Sequence, residues 1–142
     1  MSEAKKQAQN LCNVTLTGWL NQNETTFWLN KSKAGACPTP KIVDILPNKT
    51  GTYLSAGLPV ISSFQGDLKA MIEKEEIGYY YPPNDANALA ECILKLYNDK
   101  AFYQRLVENA KGVFTKLFDA DTVYHNYASH IESVFDNYKR KK

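Results

Sequence analysis

Cysteine is scarce in this sequence. Cys12, Cys37 and Cys92 stand far apart in 142 residues, and no Cys-x-x-Cys pair exists. An odd, dispersed set excludes a disulfide framework or a structural zinc site as an organising feature and suits a reducing compartment. Long apolar runs are absent too: none approaches the roughly 20 residues of a membrane-spanning helix. The opening Met1-Ser2-Glu3-Ala4-Lys5-Lys6 lacks the apolar core of a secretion signal. The expected location is therefore cytoplasmic. Charge of one sign is also missing. Seventeen Lys and Arg against fifteen Asp and Glu leave a net +2, too little excess to argue for nucleic acid, where clustered positive charge meets phosphates. The two histidines, His125 and His130, lie five apart, whereas metal pairs on one helical face sit three or four apart. No metal is expected.

What is present suits one globular domain: 44% hydrophobic residues, 12% aromatic and 23% charged. Residues 3–11 permit a helix. The β-branched run Val14-Thr15-Leu16-Thr17, closed by Gly18, predicts a strand. Asn21 or Asn23 can cap a helix over 24–31. Ala34-Gly35-Ala36-Cys37 predicts a buried strand and residues 38–47 a loop with three prolines. A short helix from Lys49 follows, with Asn48 as its cap and Gly57 as its stop. Pro59-Val60-Ile61-Ser62 is the clearest buried strand. Gly66-Asp67 opens a helix with Leu68, Met71 and Ile72 on one face. Ile77 to Tyr81 predicts a further strand, with both faces of its tyrosines covered.

Three helices close the chain. The first buries Leu89, Ile93 and Leu96. The second, capped by Asp99, carries Phe102, Leu106, Ala110, Val113, Phe114 and Leu117. The third, over 121–138, repeats Tyr124, Tyr127, Ile131, Val134 and Phe135 at helical spacing. The four-residue basic tail 139–142 suits a solvated helix C-terminus, with contact to an anionic membrane surface as the other reading. Strands alternating with helices imply an α/β, Rossmann-like, mostly parallel sheet of four strands flanked by helices, with helices at the C-terminal end. The pattern opens on a partial helix before its first strand, so one or two preceding βα units are expected to be missing.

Ligands of open α/β sheets bind outside the carboxyl ends of the strands. Those ends are Gly18-Trp19, the loop 38–47, Ser62-Ser63 and Tyr81-Pro82. The loop leads into Asn48-Lys49-Thr50-Gly51, a helix opening with a lysine and a glycine. That suits either a phosphate or an ordinary capped helix with a solvated lysine. Ser62 and Ser63 are expected in structural hydrogen bonds, and Trp19 as a packed aromatic.

The same stretch, Asp44-Ile45-Leu46-Pro47-Asn48-Lys49-Thr50-Gly51-Thr52-Tyr53-Leu54-Ser55-Ala56-Gly57-Leu58-Pro59-Val60-Ile61-Ser62-Ser63, resembles the nucleotide-sugar-binding segment of GT-B glycosyltransferases, family 4 (glycosyl transferases group 1). The resemblance extends through Val14 to Leu20, Gly66-Asp67-Leu68, Ile77-Gly78-Tyr79 and Pro82-Pro83-Asn84-Asp85. It covers residues 3 to 138. It implies that residues 1–142 are one partial C-terminal Rossmann-like domain, binding a nucleotide-sugar donor and acting with an acceptor domain in polysaccharide or glycolipid assembly with retention of configuration. By resemblance, Asp44 takes the first of two acidic positions, near the transferred sugar, as the catalytic candidate. Asn48, Lys49, Thr50 and Thr52 take donor-binding positions. Thr52 stands where the family has its second acid, near the ribose hydroxyls, and a hydroxyl accepts less strongly than a carboxylate. The basic pair that neutralises the donor diphosphate in the family would precede Met1. On this reading no cofactor is required. The alternative is a non-catalytic fragment or remnant serving as an interaction module.

Overall fold

The structure is a computed structural model that describes residues 3–8 and 11–140. The chain divides into two compact units, Met1–Lys31 and Ser32–Lys142.

The first unit holds helices α1 (Glu3–Ala8) and α2 (Gln22–Lys31). A reciprocal capping box starts α2. Glu24 N–H donates to Asn21 Oδ1 at 3.0 Å, and Asn21 N–H donates to Glu24 Oε2 at 2.8 Å. Of the two sequence candidates, Asn21 is thus the cap. Phe27 packs edge-on against Trp28 at 5.7 Å. The strand expected at 14–17 does not form. A strand depends on a neighbour for its backbone hydrogen bonds, and among the described residues none pairs with this run. Val14 and Leu16 are exposed, and Trp19, expected to pack, is fully exposed.

The second unit is a three-stranded parallel sheet in the order β1 (Gly35–Cys37), β2 (Val60–Ser62), β3 (Gly78–Tyr80). The sheet therefore has three strands where the sequence predicts four. Gly35, Ala36 and Cys37 pair with Val60, Ile61 and Ser62, which pair in turn with Gly78, Tyr79 and Tyr80. The central β2 is buried at every residue, as expected of a parallel strand covered on both faces. Successive residues serve opposite layers. Val60 belongs to one cluster with Cys37, Leu54, Leu68, Ile72, Ile77, Ala110 and Val113. Ile61 belongs to another with Tyr81 and Cys92.

The first layer is built by α3 (Lys49–Ser55), α4 (Asp67–Glu75) and α6 (Lys100–Leu117). Both crossover helices, α3 and α4, lie on this face because crossovers of one hand in a sequentially ordered sheet return on the same side. Helix α5 (Ala86–Asn98) covers the other face.

Local chemistry sets the ends. Asn48 occupies the position before α3 but makes no side-chain cap bond, because its backbone is already helical. Gly57 ends α3 as expected, with φ +67. Its N–H donates to Leu54 O and that of Leu58 to Tyr53 O, both at 2.9 Å, the paired bonds of a Schellman motif. Asp85 caps α5 through Ala88 N–H at 2.9 Å, and Asp99 caps α6 through Phe102 N–H at 2.8 Å. On α3, the Tyr53 ring lies where any Gly35 side chain would stand, and its hydroxyl donates to Ala36 O at 3.3 Å.

Burial departs from the sequence reading in three places. In α5 the buried residue is Cys92, while Leu89 and Leu96 are half-buried and Ile93 is exposed. Tyr79 and Tyr80 are half-buried, and only Tyr81 is enclosed. The final helix α7 (Ala120–Arg140) buries no side chain. Residues 141 and 142 of the basic tail lie outside the described residues.

Leu106 is fully buried and is the largest α6 side chain enclosed in the unit. Leu106→Ala should cost about 2–5 kcal/mol, read as a lower midpoint in urea unfolding with an unchanged slope. Asp119 caps α7, accepting from Thr122 N–H at 3.0 Å and Thr122 Oγ1 at 2.9 Å. These bonds hold its carboxyl below the usual carboxylate range. A depressed pKa gives stability that is present above the unfolded value and lost as pH falls through the folded one. Helicity by circular dichroism should therefore drop below about pH 4, and Asp119→Asn should flatten that part of the profile.

Candidate functional site

Of the five sequence-designated residues, Asp44 and Asn48 lie on the connection that leaves the carboxyl end of β1, and Lys49, Thr50 and Thr52 lie on α3, which it enters. The connection is proline-rich and is tied down by β2. Ser62 Oγ donates to Cys37 O at 3.2 Å and accepts from Phe64 N–H at 3.1 Å. Ser63 Oγ accepts from Thr39 N–H at 2.7 Å and donates back to Thr39 O at 3.2 Å. Both serines are fully buried, so they are structural, as their position at the end of a buried strand suggests. From the other side, Asn84 Nδ2 donates to Pro40 O at 2.7 Å.

Asp44 is fixed by a short parallel bridge to Gln65, whose N–H donates to Val43 O at 3.0 Å. Its carboxylate occupies the space where a side chain on Gly66 would stand. Gly66 has φ +63 and immediately precedes α4. Glycine is needed here for two reasons: the positive φ and the carboxylate against its Cα. The exposed Asp44 is thus set beside the start of α4, a favourable place for negative charge. The sequence names Gly66-Asp67 as a helix opening. The seat it provides for Asp44 depends on a contact 22 positions away, which no local pattern reveals.

Lys49 is exposed, and its positive charge acts on the Cys37 thiol at the end of β1. Burial pushes that thiol up, while Lys49 and then the Thr50 hydroxyl oppose the shift. Thr50 is fully buried, and Oγ1 lacks a well-formed hydrogen bond. It faces the core against Cys37 and is not open to a ligand. Asn48 and Thr52 are exposed and, four apart, share one side of α3. The structure therefore separates the five: Asp44, Asn48, Lys49 and Thr52 are accessible, and Thr50 is packing. One carboxylate and one ammonium suit anion binding and charge stabilisation better than paired acid–base catalysis.

An open cavity of about 300 Å³ lies at the same edge, lined by Pro38, Thr39, Pro40, Tyr81, Asn84 and neighbouring residues of α5. None of the five designated residues lines it. Thr39 and Asn84 are the positions that sequence reasoning passed over. The Tyr81-Pro82-Pro83-Asn84 turn, with Asn84 at φ +61, is the local signal for the second. Among the described residues, no group of three or more His, Cys, Asp or Glu could hold a metal ion. No helix there is long and apolar enough to cross a membrane.

Comparison with known proteins agrees with this architecture. The chain is 27% identical over 143 residues to the O-antigen chain mannosyltransferase C of Escherichia coli, covering 96% of this chain and 38% of that protein. It is 26% identical over 125 residues to the amylovoran biosynthesis glycosyltransferase AmsK of Erwinia amylovora, covering 85% and 31%. It thus spans about a third of the length of these curated relatives. The sucrose-phosphate synthase structure from Thermosynechococcus elongatus superposes with a TM-score of 0.73 at 23% identity, over 94% of this chain and 33% of that one, which establishes the shared GT-B fold. Residues 1–99 match the family described as glycosyl transferases group 1, and the chain belongs to that family.

Proposed function

We propose that the chain is the donor-binding part of a glycosyltransferase, holding a nucleoside-diphosphate sugar at the carboxyl edge of the sheet. The observation that carries this reading is the placement of Lys49 and Asp44. Both are accessible: Asp44 sits on the proline-rich connection tethered by Ser62, Ser63 and Gln65, and Lys49 opens the helix that this connection enters. Lys49 supplies the cation for the diphosphate. Asp44, beside the start of α4, lies toward the transferred sugar. Asn48 and Thr52 face the nucleoside. The position of these residues at the carboxyl edge of the sheet, where α/β folds bind such ligands, supports the reading, and it assigns no role to a cofactor or metal. Retention of configuration, a glycan or lipid-linked acceptor and a cytoplasmic setting follow the family reading.

Catalysis would need a second domain for the acceptor. In the first unit, Leu11, Val14, Leu16, Trp19 and Phe27 are exposed, the kind of apolar surface that marks an interaction site. The competing reading, a non-catalytic remnant, is favoured by Thr52, an exposed hydroxyl where the family reading places an acid.

Calorimetric titration of the folded chain with UDP and GDP separates these readings. Donor binding predicts a saturable isotherm with one of them. A charge-assisted contact is worth about 1.5–3 kcal/mol, so Lys49→Ala should weaken it by roughly 10- to 100-fold. Heat without saturation for either nucleotide would favour the remnant. Thr52→Glu should tighten nucleotide binding by roughly threefold to tenfold, because a carboxylate accepts ribose hydroxyls more strongly. That gain should vanish with 2′,3′-dideoxynucleotides. A gain that persists with them would place Thr52 away from the ribose.

A further inference from the structure

A helix start favours Ser, Thr, Asp or Asn, whose side chains accept from the free N–H groups there. Gly66, the residue before α4, offers no such group, and α4 has no side-chain cap bond. The carboxylate of Asp44 stands there instead, in the space that a Cβ on Gly66 would fill. The three atoms nearest to such a Cβ all belong to that carboxylate. Other glycines make contacts of a different kind. Gly35 faces Tyr53, Gly57 faces Lys111 and Gly78 faces the backbone of Val60, contacts that pack the fold. Gly66 faces a candidate ligand group.

The backbone around this contact is pinned. Gln65 N–H donates to Val43 O at 3.0 Å, and Gly66 O accepts from Ala70 N–H at 2.9 Å. Leu68, two residues further on, is fully buried in the cluster that contains Val60. Gly66 itself is held at φ +63 and ψ -133, where side chains are rarely tolerated. Between a pinned backbone and the exposed side chain of Asp44, the side chain is the part that yields, by leaving its rotamer. Any side chain at position 66 would therefore re-aim the carboxylate.

We propose that Gly66 is a positioning residue for the sugar of the donor: the room it leaves holds the Asp44 carboxylate in the direction that lets the site prefer a glycosylated nucleoside diphosphate to the free one. This rests on the donor-binding reading above, in which Asp44 lies toward the sugar and Lys49 toward the diphosphate. A displacement of about 1 Å is enough to spoil such a contact, and the diphosphate contact of Lys49 does not depend on it.

The readout is the ratio of the dissociation constants of free and glycosylated diphosphate. It is measured by calorimetry on the full chain with UDP and GDP and with the hexose and N-acetylhexosamine conjugates of each. The parent chain should prefer at least one conjugate to its free diphosphate. Asp44→Ala should lower that preference roughly tenfold, as for one lost charge-assisted hydrogen bond. Gly66→Ala should lower it by the same factor with the helical circular dichroism retained. The two losses should not add, because both act through one carboxylate. In the double variant the steric conflict is gone, so it should fold and match Asp44→Ala even if Gly66→Ala alone does not. A preference unchanged by Gly66→Ala, or a double variant that falls below Asp44→Ala, would overturn the proposal and leave the donor reading standing. A parent chain that binds none of these nucleotides would overturn the donor reading and the proposal with it.

Discussion

The second unit depends on the three residues of β2. Val60 and Ile61 face opposite layers, so this strand joins the two apolar clusters. Ser62 ends it with a hydroxyl that donates to the carbonyl of Cys37, and Ser63 then clasps Thr39 from both its N–H and its C=O. Buried hydroxyls with satisfied bonds hold position strongly, because breaking one strands a polar group away from water. The strand that organises the core therefore also fixes the start of the connection that bears the candidate ligand groups.

That coupling explains why a loop with three prolines can present a defined site. Loops are the usual carriers of function when a rigid scaffold positions them. Here the scaffold acts at three places: at Thr39 through Ser63, at Pro40 through Asn84, and at Val43 through Gln65. Asp44 follows the last tether directly. Its carboxylate is placed by neighbouring backbone and by the missing side chain of Gly66. The exposed Lys49 sits on the first turn of α3, whose far end is fixed by the Schellman turn at Gly57.

Much of this was legible in the sequence wherever local chemistry decides structure. The cap Asp99, the stop at Gly57 and the buried strand that ends at Ser62 each follow from a few adjacent residues. The family likeness around residues 44–63 also picked out the connection and helix start that carry the candidate residues. Legibility failed where an element depends on distant partners. Val14-Thr15-Leu16-Thr17 has strand composition but no paired neighbour among the described residues. Ile93 has helix-core spacing, yet Cys92 points to the sheet instead. Thr50 reads as a ligand-facing residue at a helix start and is packed against Cys37. The apolar repeat of α7 reads as core and lies on the surface. Periodicity reports that a face is apolar; it does not report what covers it.

The hydroxyl of Tyr53 on the carbonyl of Ala36 has a consequence for solubility. Gly35 N–H and Cys37 C=O point toward β2 and its flanks, so the peptide groups of Ala36 face outward from the last strand of the described sheet. Such an edge is a template on which foreign strands add and aggregates grow. At three residues it is already short, and the phenol from α3 occupies its outward acceptor. The residue that packs α3 onto Gly35 thereby also occupies the outward acceptor of β1.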